Sequence, residues 1–316
     1  MRVRASSHPW NRMPMRVLVI GGNGMLGHKV FQVFEDRFET FATFRTRDGP
    51  WMRLPMYRDS SRLLGGVDAL HLQTVESALG AVNPDIVVNC VGVIKQSAAS
   101  EDPLQTIAVN ALFPHLLAEL CRRTGTRLVH VSTDCVFSGK KGNYVEADIT
   151  DAEDLYGRTK ALGEVGGAGC LTLRTSIIGR DFMKNAGLLD WFLSNQGGSV
   201  KGYNRAIFTG FPTVVFARIV RDTVENHRDL SGLYHVASLP ISKLELLEKI
   251  RDALNIDIQI ELVDSPSIDR SLNAGRFRDA TGFQSPSWDA LIEEMCADKT
   301  PYDQWRRENT TPIVRS

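Results

Sequence analysis

The chain has 316 residues, 43% hydrophobic and 23% charged, which excludes fibrous, collagen-like and disordered proteins and provides for a sizeable core. Its 37 Lys and Arg balance 37 Asp and Glu, so it carries no electrostatic footprint for nucleic acid or acidic membranes, although a local basic pocket for a phosphate stays open. The longest apolar run, Ile86 to Ile94, is nine residues with Asn89 inside it, about half of a ~20-residue bilayer span, and predicts no transmembrane helix.

Residues 1–14 (MRVRASSHPWNRMP) lack the apolar stretch of a secretory signal and read as a disordered extension. Short continuous apolar runs then alternate with helical patterns, as in a parallel sheet buried on both faces. Arg16 to Ile20 (RVLVI) is the first strand, and a glycine cluster leads into a helix through Val30, Phe31 and Phe34. Phe41 to Phe44, Asp85 to Val91 and Arg127 to Val131 follow as strands, with a helix over Ala108 to Arg123 before the last, and Leu171 to Arg174 is one more strand. The fold class is α/β, a Rossmann-type doubly wound parallel sheet over residues 15–180, with a smaller mixed α/β substrate-binding lobe over 181–296. In that lobe Leu188 to Ser194, Val214 to Asn226 and Ser242 to Leu254 look helical and Gly232 to Ala237 looks like a strand; one strand and one helix are expected to be exchanged with the first domain. Residues 297–316 are polar enough for a loosely held tail. The five cysteines, Cys90, Cys121, Cys135, Cys170 and Cys296, are widely spaced and without zinc-ligand partners, which suits a reduced cytoplasm and predicts no metal site.

The chemistry-bearing residues fall into a cofactor end and a catalytic end. GGNGMLG directly follows the first strand and opens a helix, where glycines permit a tight turn, close approach of a pyrophosphate and tight helix packing, and the anion meets exposed N–H groups. Gly21, Asn23, Gly24, Met25, Leu26 and Gly27 are the candidate cofactor-binding residues there. Arg45 and Arg47 end the second strand, where an NAD-binding protein usually offers a carboxylate, and two guanidiniums suit a 2′-phosphate. NADP(H) is therefore preferred, with NAD(H) as the alternative. Tyr156 and Lys160 form Y-x-x-x-K on one helical face, and a neighbouring ammonium favours the phenolate of a tyrosine otherwise near pKa ~10. Ser132 and Thr133, at the loop end of a parallel strand, offer a hydroxyl to a substrate carbonyl.

These residues resemble the extended short-chain dehydrogenase/reductases, in the branch typified by dTDP-4-dehydrorhamnose reductase, over about Met15 to Met295. The resemblance rests on STDCVFSG (Ser132 to Gly139), LYGRTKALGE (Leu155 to Glu164), LRTSIIG and GFPT, in order and at family-like spacing. It implies Thr133, Tyr156 and Lys160 as catalytic residues, with Lys160 also holding the cofactor ribose. It further implies that Cys90, Val91 and Gly92 line the cofactor, that Asn110 braces the site, and that Lys95, Cys135, Asn185 and Arg270 contact substrate. The reaction implied is NADPH-dependent reduction of the C4 ketone of a nucleotide-linked 6-deoxy-4-keto sugar, for deoxysugar or surface-polysaccharide precursors, in an enzyme able to form a homodimer.

Departures leave alternatives open. Cys135 stands where related dehydratases carry a glutamate, which disfavours dehydration. In related epimerase/reductases a cysteine here works with a later histidine, yet no histidine lies between His130 and His227; Cys135 is a proton donor or base, or it packs against nicotinamide or sugar. The segment Val93, Ile94, Lys95, Gln96 with STDCVFSGKKGNYVE is closer to reductases of UDP-linked 2-acetamido-2,6-dideoxy-4-keto hexoses. A non-catalytic NADP-binding regulatory subunit is the alternative from another class, and intact Thr133, Tyr156 and Lys160 argue against it. His28, His115 and His130 read as structural, and Trp191 and Phe192 as packing of the second lobe.

Overall fold

The structure, a computed structural model, describes residues 14–49, 54–94, 102–181 and 187–310. Six strands are the frame: β1 (Arg16–Ile20), β2 (Glu39–Phe44), β3 (Leu63–Gly65), β4 (Ile86–Asn89), β5 (Arg127–Thr133) and β6 (Cys170–Thr175). A later strand, Gly232–His235, pairs parallel with β6 and completes a seven-stranded sheet, in which β5, β4, β1, β2 and β3 follow β6 in turn. Every pairing in it is parallel. The apolar runs explain why it is covered on both faces. Along β1, Val17 and Val19 enter one core while Leu18 and Ile20 enter the other, because successive strand side chains point to opposite sides.

The core beneath Leu18 is closed by α2 (Leu72–Val82) and by a helix built from α3 (Pro103–Ile107), a π turn at Ala108–Leu112, and α4 (Phe113–Thr124). Asp102 starts this helix by accepting from the Leu104 and Gln105 amides, with Pro103 in the first turn, and Gly125 ends it at φ 71°. The continuous Pro103–Thr124 helix has 22 residues and a mean hydropathy of 1.2, enough by length and composition to cross a membrane. Counting unbroken apolar runs passes it over. Its apolar side, with Phe113 and Leu117 fully buried, packs into the core under the sheet.

The other face is closed by α1 (Gly27–Phe34) and the helix Thr213–Asn226. That helix and the strand Gly232–His235 lie beyond residue 180 in sequence yet build the first domain's sheet and its cover. The remaining part carries a small sheet in the order Ile241–Ser242, Ala206–Phe208, Ile268–Asp269, a parallel pair of Ser199–Tyr203 with Gln259–Val263, and the helices Leu188–Leu193, Lys243–Leu254, Gly275–Thr281 and Trp288–Cys296.

One expectation is corrected. The tail after Ala297 is not loose over its described part. It forms a helix, Tyr302–Thr310, whose Tyr302 and Trp305 are each 4% exposed and pack with Phe31, Phe44 and Tyr57. Overall polarity concealed two aromatic anchors on one helical face. Residues 1–13 and 311–316 lie outside the described residues.

Candidate active site

The glycine segment turns at the carboxyl end of β1. Gly21 has φ 86°, and a Cβ there would stand 2.9 Å from Val91 Cγ2. A Cβ on Gly27 would lie 2.0 Å from the Gly21 carbonyl oxygen, so glycine lets α1 start against the turn; a Cβ on Gly24 would meet only that oxygen, at 3.5 Å. Asn23, Gly24 and Met25 are half-exposed at the mouth, whereas the Leu26 side chain is buried in the core. Helix α1 has no acidic residue in its first turn and no side-chain cap. An exposed glycine turn leading to uncapped helix N–H groups is the cradle a pyrophosphate needs.

Arg45 and Arg47 follow β2 directly and are exposed. The Arg47 stem lies along Gly65 and Gly66, where a Cβ would come within 2.6 Å of Arg47 Cα and 3.0 Å of its Cγ. Beyond β4, Val91 donates to Asn89 Oδ1 (3.1 Å), and burial pushes the Cys90 thiol up to about 12. Asn110, buried in the π turn, accepts from the Val93 amide (2.8 Å) and donates to the Val93 carbonyl (2.9 Å). It pins the loop that carries Cys90, Val91 and Gly92.

The hydroxyl end is assembled from β5 and α5 (Leu155–Leu162). Asp154 caps α5 by accepting from the Gly157 amide at 2.8 Å, which puts Tyr156 in the first turn and Lys160 one turn on. Two glycines let α5 come close enough: a Cβ on Gly157 would stand 2.2 Å from the Cys135 carbonyl oxygen, and one on Gly163 1.9 Å from that of Asn110. Thr133 accepts from the Cys135 amide (3.1 Å), contacts Asp134 Oδ1 (3.1 Å) and hydrogen-bonds Tyr156. Thr133, Cys135 and Tyr156 thus meet at one place. Burial raises the Tyr156 phenol above its ordinary value, reinforced by Cys135 and opposed by the Thr133 hydrogen bond.

Lys160 is 5% exposed and donates to the Val131 carbonyl at 2.8 Å. Burial lowers its ammonium to about 8, against the attraction of Glu164 and Cys90. The leading influences on Tyr156 are therefore burial and Cys135, while the Lys160 charge is engaged by β5. Behind it Glu164 accepts from Ser132 Oγ (2.7 Å) and pairs with buried Arg174 (2.6 Å), which also bonds His235 (3.1 Å).

A cavity of about 400 Å³ lined by Ser138, Lys140, Glu153, Asp154 and Arg270 opens beside this cluster. Arg270 is held there by donating to the Phe137 carbonyl (2.8 Å), and buried Asp134, whose carboxyl is raised by burial, feels its positive charge. Lys95 and Asn185, the other substrate candidates, lie outside the described residues. Several supporting residues have no role of their own in the motif reading: Asp154, Gly157, Gly163, Asp134 and Glu164. The Asp-x-x-Gly opening of α5 is a local signal for the first two; the others are recognised only by what they touch. Among the described residues no group of three His, Cys, Asp or Glu is placed to hold a metal ion.

A parallel sheet with a glycine turn at its first crossover defines an α/β protein of the dinucleotide-binding class, and beside that turn Thr133 at the end of β5 meets Tyr156 of α5. Residues 15–300 match the RmlD substrate binding domain, and the chain belongs to that family. It is 31% identical over 179 residues to the dTDP-4-dehydrorhamnose reductase of Burkholderia thailandensis, a match covering 54% of each chain, so it spans about half the length of that relative. The dTDP-4-dehydrorhamnose reductase of Aggregatibacter actinomycetemcomitans is 24% identical over 315 residues, covering 89% of this chain and 98% of the relative. Among solved structures, that of the Bacillus anthracis dTDP-4-dehydrorhamnose reductase in complex with NADP superposes with a TM-score of 0.75 at 18% identity, covering 91% of this chain and 100% of that one.

Proposed function

We propose that this protein is an NADP(H)-dependent reductase of the C4 ketone of a nucleotide-linked 6-deoxy-4-keto sugar, acting in the cytoplasm on a deoxysugar precursor. The observation that carries this reading is the convergence of Thr133, Tyr156 and Lys160 beside a glycine turn shaped for a dinucleotide. Five free cysteines accord with a reducing compartment. The family membership and the names of the curated relatives support the same substrate class.

When bound, the cofactor supplies the hydride. The chain's residues do the rest. Gly21, Asn23, Gly24, Met25, Leu26 and Gly27 hold the pyrophosphate through backbone N–H groups, and Arg45 and Arg47 meet a 2′-phosphate, which favours NADP(H) over NAD(H). Cys90, Val91 and Gly92 border the nicotinamide side, braced by Asn110. Tyr156 donates its proton to the substrate oxygen as negative charge develops there, and its raised pKa keeps that proton in place until then. Thr133 hydrogen-bonds the same oxygen. Lys160 holds the ribose, and its charge strengthens the acid once both are engaged. Cys135 borders the space for the sugar ring, and Arg270, which lines the cavity, suits the diphosphate. A homodimer would use the face where α3 and α5 leave Leu104 and Leu162 exposed.

The test is NADPH absorbance with 4-keto sugar nucleotides generated from dTDP-glucose and from UDP-N-acetylglucosamine. Oxidation with only one of them identifies the nucleotide and sugar branch. Tyr156→Phe is expected to lower kcat by about 100-fold or more; an equal rate in that variant overturns the catalytic assignment. Tight NADPH binding without oxidation of either sugar would point to a non-catalytic cofactor-binding subunit.

A further inference from the structure

The segment after Asp298 touches the glycine turn from behind. His28, in the first turn of α1, is fully buried; its Nδ1 lies 2.8 Å from the Gly24 carbonyl and its Nε2 2.7 Å from the Tyr302 hydroxyl. A carbonyl only accepts, so Nδ1 carries the hydrogen and Tyr302 donates to Nε2. Burial keeps this imidazole neutral, with a pKa lowered to about 3. The next residue, Lys29, is 2% exposed and is bonded to Asp298 (2.6 Å) and Thr300 (2.6 Å). Further along, Arg180 spans Asp190 (2.9 Å) and Asp303, and Arg306 reaches Asp190 (2.7 Å). On the same turn Tyr57 donates to the Gly22 carbonyl at 2.5 Å, and a Cβ on Gly187, just before the helix that contains Asp190, would meet Met25 at 2.6 Å. The turn is thus gripped through Gly22, Gly24 and α1 by groups remote in sequence. Tyr302 and Arg306 lie outside the family match, which ends at residue 300.

We propose that Asp298–Arg306 is a strap that holds the glycine turn in its cofactor-binding shape, with Tyr302 and His28 as positioning residues for NADP(H). The inference rests on the assignment of that turn to the cofactor. Nothing in the strap meets substrate; it acts by fixing where the Gly24 carbonyl and the N–H groups beside it point. Its energy enters the affinity for the dinucleotide and not the chemical step.

Tyr302→Phe keeps the ring and removes the hydroxyl. In the folded full chain it is expected to raise the NADPH Kd about three- to tenfold, the effect of one buried neutral hydrogen bond, while kcat at saturating NADPH changes less than about twofold. A Kd within twofold of wild type, or a fall in kcat at unchanged Kd, overturns the strap. Hydrogen exchange on the wild type tests it without a variant: NADPH should protect amides of 302–306 together with those of 21–28, because coupling between sites is reciprocal. Protection confined to 21–28 overturns it. Wild type that binds no NADPH overturns the cofactor assignment and the strap with it, whereas wild-type binding with an unaffected Tyr302→Phe removes the strap alone.

Discussion

Lys160 is the residue whose environment departs furthest from what its motif suggests. Four residues after Tyr156, it reads as the tyrosine's electrostatic partner. In the fold it is buried, bonded to the Val131 carbonyl, with its ammonium lowered to about 8 from 10.5. Between those values the unfolded chain binds a proton that the folded chain lacks, so stability rises with pH through that window and the burial penalty is complete below it. Relative to Lys160→Met, the wild type should therefore be least stable below pH 8 and gain steadily toward pH 10.5 in urea unfolding. A difference independent of pH over that range would show that the ammonium is not desolvated. Tyr156 and Lys160 were singled out by residue type and spacing, the Ser132–Thr133 pair by its place at a strand end, and Thr133 within that pair by the resemblance of STDCVFSG. Glu164 was not: its partners Ser132 and Arg174 come from two different strands, and only pairing β5 beside β6 brings them to one carboxylate.

The glycine turn and α5 show how an element is placed by what is missing from its side chains. Gly27 and Gly24 both belong to the motif, yet they do different things. Gly27→Ala would drive a Cβ to 2.0 Å from backbone oxygen, which cannot yield without moving α1 off the turn. It should destabilise the protein by about 1–3 kcal/mol or more. Gly24→Ala meets only an oxygen at 3.5 Å, so its thermal midpoint should stay within about 2 °C of wild type. Under the proposed cofactor assignment its methyl would crowd the pyrophosphate, and the NADPH KM should rise about tenfold or more. Loss of midpoint in Gly24→Ala without a KM change would reverse the roles given to the two positions. In α5 the same device is used twice, Gly157 against Cys135 and Gly163 against Asn110. The sequence YGRTKALG displays these glycines plainly, but a glycine in the first turn or at the C-cap of a helix signals close approach without saying to what.

Over the whole molecule, the dinucleotide domain does not end where its regular alternation ends. The helix Thr213–Asn226 covers α1, and Gly232–His235 borders β6. A fragment of residues 15–180 would leave Leu171 and Leu173 of β6 and Phe34 of α1 exposed, all three fully buried in the intact chain. It should be insoluble or lack a cooperative unfolding transition, whereas the full chain should unfold in one transition by both near- and far-ultraviolet circular dichroism. A soluble, cooperatively folding fragment would mean that the two parts are independent. Apolar runs, the glycine cluster after RVLVI, the paired arginines after the second strand and the Tyr–Lys spacing could all be read from the chain because each depends on neighbours within one or two turns or strands. Strand order, which late strand borders β6, the docking of Tyr302 on His28 and the burial that sets the charge of Lys160 were decided only in three dimensions. They join residues far apart in the chain, and such contacts are chosen by mutual fit of whole surfaces, a property that no local pattern of residues contains.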